Sequence, residues 1–193
     1  RGEPDFYALQ VGNEILGGGG FTSRLMQEIR EKRGLTYGVY SGFTPMRVEG
    51  PFMISLSTRT DQSAEALRLT RQILTDFVRS GPDASAVNAA KASIVQGFPM
   101  SAASNASIVG YLGAIGFYDL PVDYLDQYLA RIEAVTVEDV RKAFRRHVHP
   151  DRLLAITVGK AAPWGEVMIC PKGEILVKGD YLFMGYLNQP EKT

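Results

Sequence analysis

From Asp5 onward the apolar positions Phe6, Leu9, Ile15 and Leu16 recur roughly at helical spacing until four glycines, Gly17 to Gly20, end the pattern. This predicts a helix followed by a flexible break. Thr22 or Ser23 can cap a second, short and strongly charged helix carrying Leu25, Met26 and Ile29, with Gly34 as its C-terminal glycine. Leu35 to Phe43 then alternates, with Leu35, Tyr37, Val39 and Phe43 on one face and Thr36, Gly38, Tyr40 and Gly42 on the other. A second alternating run sets Phe52, Ile54 and Leu56 against Met53, Ser55 and Ser57. The connection between the two is too short for a crossover helix, so they are expected to pair antiparallel.

Asp61 can cap a long helix whose Leu67, Thr70, Ile73, Leu74, Phe77 and Val78 form one stripe, closed by Gly81-Pro82. Three further helical stretches are expected around 84–96, 105–118 and 124–134, separated by Pro99 and Pro121. Another starts at Thr136 with Val137, Val140, Phe144 and Val148 at helical spacing, and a strand is expected over Leu153 to Val158. Helices, a strand pair, more helices and a strand predict an α+β fold, with helices packed on one face of a mostly antiparallel sheet. Past Lys160 short β-like runs punctuated by glycines replace the helical pattern. The expected division is therefore a domain over 1–162 and a short β-like tail over 163–193.

Composition narrows the function classes. The 193 residues carry 21 Lys plus Arg against 21 Asp plus Glu, so no net field draws in nucleic acid. No apolar run reaches the length of a membrane span, and Arg1-Gly2-Glu3-Pro4-Asp5 reads as an internal start rather than a signal peptide. The single cysteine, Cys170, excludes an internal disulfide and leaves the compartment open.

Candidate chemistry is sparse. The two histidines, His147 and His149, fall at a helix end before Pro150 without an obvious third ligand, and no His-x-x-Glu-His or His-Glu-x-x-His motif is present, so no metal site is expected in this chain. The glycines Gly17 to Gly20 precede a helix start but lack the residues of a phosphate loop. They read either as an interhelical connection or as a ligand-contacting loop. In Arg30-Glu31-Lys32-Arg33-Gly34-Leu35-Thr36-Tyr37 the chain leaves a helix, turns at Gly34 and enters a strand, so Arg30 and Tyr37 can meet across the turn. Two donors aimed at one carbonyl oxygen would steady the charge of a tetrahedral intermediate. An exposed helix-end arginine beside a half-buried tyrosine is the plainer alternative.

The run GGGGFTSRLMQEIREKRGLTYGVYSGF, with GPFMISLSTRTDQ, GFYDLPVDYLDQY and HPDRLLAITVG after it, resembles the C-terminal, non-zinc half of pitrilysin/insulinase-type zinc metallopeptidases over residues 1 to about 160. The resemblance implies two related α+β halves enclosing a chamber, zinc held by the other half, and an Arg and a Tyr reaching toward a peptide carbonyl from this one. Those two positions fall on Arg30 and Tyr37. Gly17, Gly18, Gly19 and Gly20 resemble a glycine-rich, substrate-engaging loop of non-catalytic members, although the loop here is shorter. The expected function is a substrate-binding, oxyanion-stabilising half that is inactive without a zinc-bearing homologous partner; the alternative is a non-catalytic scaffold or assembly subunit. GEILVKGDYLFMGYLNQPEKT, matching at Gly173, Glu174, Ile175, Gly179, Gly185, Tyr186, Pro190 and Thr193, resembles a fragment of adenylate-forming enzymes of the acyl-CoA synthetase type. A ligase fragment is thus the remote alternative.

Overall fold

The computed structural model describes residues 3–46, 48, 50–158, 166–169 and 175–178, the last two ranges as strand backbone. In chain order the regular elements are α1 (Phe6–Asn13), β1 (Gly38–Phe43), β2 (Phe52–Ser57), α2 (Ser63–Ser80), α3 (Ala84–Ser101), α4 (Asn105–Phe117), α5 (Tyr124–Ala134), α6 (Val137–His147), β3 (Glu166–Ile169) and β4 (Ile175–Lys178). β1 and β2 pair antiparallel, Val39 opposite Leu56 and Phe43 opposite Phe52. β3 and β4 form a second antiparallel pair, Val167 opposite Val177. The architecture is α+β and rich in helix.

The core is held by the residues that the helical and strand periods single out. Phe144 of α6 meets the Phe77 ring of α2 edge-on at 4.9 Å and the Phe43 ring of β1 at 5.9 Å. Around them Val11, Leu16, Leu25, Ile29, Val39, Leu74, Ile132 and Val140 are fully buried, each stabilising the fold by about 1.5–3 kcal/mol relative to exposure. α1 lies close against α6 because Gly12 has no side chain: a Cβ there would sit 2.9 Å from Val140 Cγ1 and 2.2 Å from Phe144 Cε2. β2 alternates as expected, Phe52, Ile54 and Leu56 half-buried and Met53, Ser55 and Ser57 exposed.

Helix ends follow the local chemistry. Thr136 and Asp139 cap α6 reciprocally, Asp139 N donating to Thr136 Oγ1 at 3.2 Å and Thr136 N to Asp139 Oδ2 at 2.9 Å. The Thr136 hydroxyl, donating to Asp139 Oδ2 at 2.6 Å, and then Thr136 N hold the Asp139 carboxyl below the usual aspartate range. Asp83 accepts from Ala86 N at 2.8 Å at the start of α3. Gly81, with φ +71°, ends α2 in the left-handed region where a Cβ is disfavoured.

Several expectations are corrected. Gly17 to Gly20 are no flexible break: the helix continues through Glu14–Gly18 as a wider, π-type turn, with Gly17 buried. Neither Thr22 nor Ser23 caps the following helix by its side chain; their hydroxyls donate backwards, to Gly19 O at 2.9 Å and Gly20 O at 2.8 Å. The strand expected from Leu35 begins only at Gly38, because Leu35 closes the preceding helix. Asp61 does not cap α2; it pairs with Arg59, Nη2 to Oδ2 at 2.8 Å. Pro99 lies inside α3 rather than between helices, near its last turn. Residues 153–158 form no strand among the described residues, and Leu154, Ile156 and Val158 are exposed. The tail expected over 163–193 lies outside the described residues apart from the two strands.

Candidate functional site

Three segments converge on one surface. The first is the glycine turn, which closes through Gly19 N donating to Glu14 O at 2.9 Å, five residues back. Gly17 is pressed against β1: a Cβ there would lie 2.8 Å from Ser41 N and 2.9 Å from Leu25 Cδ1. Gly18 is exposed and Gly19 and Gly20 are half-buried, and Gly20 takes φ +60°. The chain then presents Phe21, 66% exposed.

The second segment is the helix that follows, whose Met26–Glu31 stretch is again a π-type turn, with Lys32 N donating to Gln27 O at 3.0 Å. It ends on Gly34 at φ +60°. Leu35 N donates to Ile29 O at 3.0 Å and Gly34 N to Arg30 O at 2.8 Å, the paired closure that a left-handed glycine permits. Among its charges, Glu28 engages Lys32 Nζ at 2.5 Å and Arg33 Nη1 at 2.9 Å. These hydrogen bonds, Lys32's first and Arg33's second, hold the Glu28 carboxyl below its ordinary value against the opposing effect of burial. Arg30 is directed elsewhere. It pairs with Glu31, and its Cζ stands 4.9 Å from the Phe21 ring centre and 5.8 Å from that of Tyr37.

The third segment is the short approach to β1. Thr36 Oγ1 donates to Ser57 O at 2.5 Å and accepts from Gly38 N at 3.1 Å, and Thr58 Oγ1 donates to Leu35 O at 2.5 Å. These bonds pin both sides of Tyr37, which is itself 90% exposed. Tyr37 therefore does not share the buried face of Val39 and Leu35, as strict alternation requires; it stands outside the strand. Arg30 and Tyr37 are brought together, the glycine turn adjoins them through Phe21, and Phe21 is the member that sequence reasoning missed. The signal available for it was its place directly after Gly20, between a glycine run and a helix.

The histidines lie at the far end of α6. His147 Nε2 lies 2.9 Å from Asp5 Oδ2, the oxygen that also accepts from Arg146 Nη1 at 3.0 Å. Glu3, Asp5 and His147 have ligand atoms within 4.8 Å of one another. A zinc ion does not fit this set, since the Asp5 oxygen is already committed to two donors and Arg146 supplies the positive charge. His149 is exposed. None of the helices described is long and apolar enough to cross a membrane.

The described residues thus form a helix-rich α+β unit in which an arginine and a tyrosine stand beside a glycine turn. Residues 1–94 match the family model described as "Peptidase M16 inactive domain". An uncharacterized zinc protease of Mycobacterium tuberculosis is 32% identical over 159 residues, covering 82% of this chain and 36% of the relative. A solved peptidase M16 inactive domain from Pseudomonas fluorescens is 48% identical with a TM-score of 0.72, covering 78% of this chain and 35% of that one. The periplasmic protease PqqL of Escherichia coli, 19% identical with a TM-score of 0.60 over 75% of this chain and 16% of its own, shares the fold. The chain thus spans about a third of the length of the curated relatives it matches.

Proposed function

We propose that residues 1–162 form the substrate-binding, oxyanion-stabilising half of a zinc metallopeptidase, active only with a zinc-bearing homologous half, while 163–193 form a separate tail. The observation that carries this reading is the placement of the Arg30 guanidinium within 4.9 Å of the Phe21 ring centre and 5.8 Å of Tyr37, on an exposed ledge beside the glycine turn. A guanidinium keeps its charge at any physiological pH, and a phenol hydroxyl donates without a charge of its own. Together they suit a carbonyl oxygen that becomes negative during peptide hydrolysis. Gly18, Gly19 and Gly20 would let a peptide backbone approach closely, and Gly17 would set the turn that presents them. The partner half would hold the metal and the general base; this chain supplies donors and surface.

The test is reconstitution with a zinc-bearing half and a peptide substrate. Arg30→Ala is expected to lower kcat/KM by about 10²–10³, the scale for losing an oxyanion donor. Arg30→Lys is expected to recover little, because a point charge does not reproduce the planar donor fork. An unchanged rate in Arg30→Ala would remove the role.

A second reading, a non-catalytic scaffold or assembly subunit, is favoured by α4, where no residue is buried and Val109 and Leu112 are more than 60% exposed. A "Non-peptidase homolog" of Helicobacter pylori, 26% identical over 134 residues, belongs to the same set of relatives. Under this reading Arg30 and Tyr37 are dispensable, and charged substitutions on α4 abolish assembly.

A further inference from the structure

Away from Arg30 and Tyr37, α1, α3, α4 and α5 enclose a cleft of about 550 Å³, within the range of small-ligand sites. Its walls combine aromatic rings with polar side chains such as Gln10 and Asn13. The Phe98 ring lies 5.8 Å from those of both Tyr111 and Tyr128, stacked on the latter at 29°, and Phe43 closes the end nearest β1. Glu14 is the one charged side chain among the described lining residues, and Ser93 Oγ donates to its Oε1 at 2.8 Å, fixing the carboxylate.

We infer that this cleft binds an organic cation, a guanidinium or alkylammonium group. Aromatic faces carry negative electrostatic potential and attract cations, the more strongly as water is excluded. A carboxylate at the wall completes the charge balance, whereas a neutral apolar occupant would strip water from Glu14 without compensation. An anion is opposed by the carboxylate. The cation can come from a basic peptide side chain or from a free amine, and the cleft chemistry is the same for both. The inference does not rest on the Arg30 reading: Phe21, Arg30 and Tyr37 do not line the cleft, and Glu14 meets the glycine turn through its backbone carbonyl while its carboxylate serves the cleft.

Binding is measured on the full chain by calorimetry and ligand-observed NMR, with N-acetyl-arginine amide as the probe and N-acetyl-citrulline amide as its neutral isostere. Arginine is expected to bind about tenfold more tightly than citrulline. Glu14→Gln, which keeps the acceptor for Ser93, is expected to erase most of that preference. Phe98→Leu is expected to weaken arginine more than citrulline, and the two variants probe the site independently should one misfold. Butylguanidine, a monocation with the same guanidinium and no peptide backbone, separates the sources: equal or tighter affinity assigns a free organic cation, weaker affinity a basic peptide. Equal binding of arginine and citrulline, or an unaltered preference in folded Glu14→Gln, overturns the assignment.

Discussion

Replacing Gly17 with alanine adds one methyl group at the point where the glycine turn meets the sheet. That methyl would lie 2.5 Å from Ser41 Oγ, 2.8 Å from Ser41 N and 2.9 Å from Leu25 Cδ1, all well inside ordinary contact. The hydroxyl can rotate, but the Ser41 backbone is paired opposite Ile54 and Leu25 is fully buried, so neither gives way cheaply. With three contacts under 3.0 Å, two of them against atoms that cannot move aside, the overpacking cost falls in the upper part of its range, about 2–3 kcal/mol. Alanine's advantage over glycine within a helix, about 1 kcal/mol, offsets part of it. A net loss of about 1–2 kcal/mol lowers the melting temperature by about 2–8 °C in a domain of this size. Thermal unfolding followed by circular dichroism reads the shift, with Gly42→Ala as the control. Gly42 is in the same strand with nothing within 4 Å of its would-be Cβ, so that variant is expected to melt at or above the parent. Parent-like melting of Gly17→Ala, or an equal drop in Gly42→Ala, would refute the close packing assigned to Gly17.

Thr136→Ala removes the reciprocal cap of α6 and is expected to cost about 1 kcal/mol in urea unfolding at neutral pH. Because Asp139 has a lower pKa folded than unfolded, its stabilisation is complete above the unfolded value and lost as pH falls through the folded one. Asp139→Asn should therefore destabilise at pH 7 and converge on the parent as pH falls below the ordinary aspartate range and through the lowered folded value; a gap independent of pH would contradict the linkage. Gly113→Ala, in the middle of α4 with no neighbour within 4 Å, is expected to raise stability by about 1 kcal/mol in the same urea assay.

The parts of this fold legible from sequence are those where local chemistry and periodicity agree. α5 begins at Tyr124 and ends at Ala134 as its pattern states, and β2 and the Thr136 cap are equally direct. Other features depend on neighbours. Nothing in a 3.6-residue period announces the wide turns at Glu14–Gly18 and Met26–Glu31, and a run of glycines looks the same whether it is loose or pressed against Ser41. Tyr37 alternates with Leu35 and Val39 in sequence, yet Thr36 and Thr58 bind the hairpin base so that Tyr37 faces outward. The approach of Arg30 to Tyr37 was legible from the turn at Gly34, whereas the aromatic cleft draws residues from four helices and has no local signature.

The wide turn at Met26–Glu31 also sets an angular phase. Each residue of an ordinary helix advances the chain by about 100°, and a five-residue closure takes up one residue more than a four-residue one. A further residue inserted into this stretch, which already holds its one extra, would therefore act as a rotation as much as a lengthening. With Gly34 and the hairpin fixed behind it, the helix would turn by about 100° relative to the glycine turn. The buried stripe of Leu25, Met26 and Ile29 and the outward-facing Arg30 could then no longer both keep their places, so the helix must either give up its seat in the core or carry the guanidinium away from Phe21.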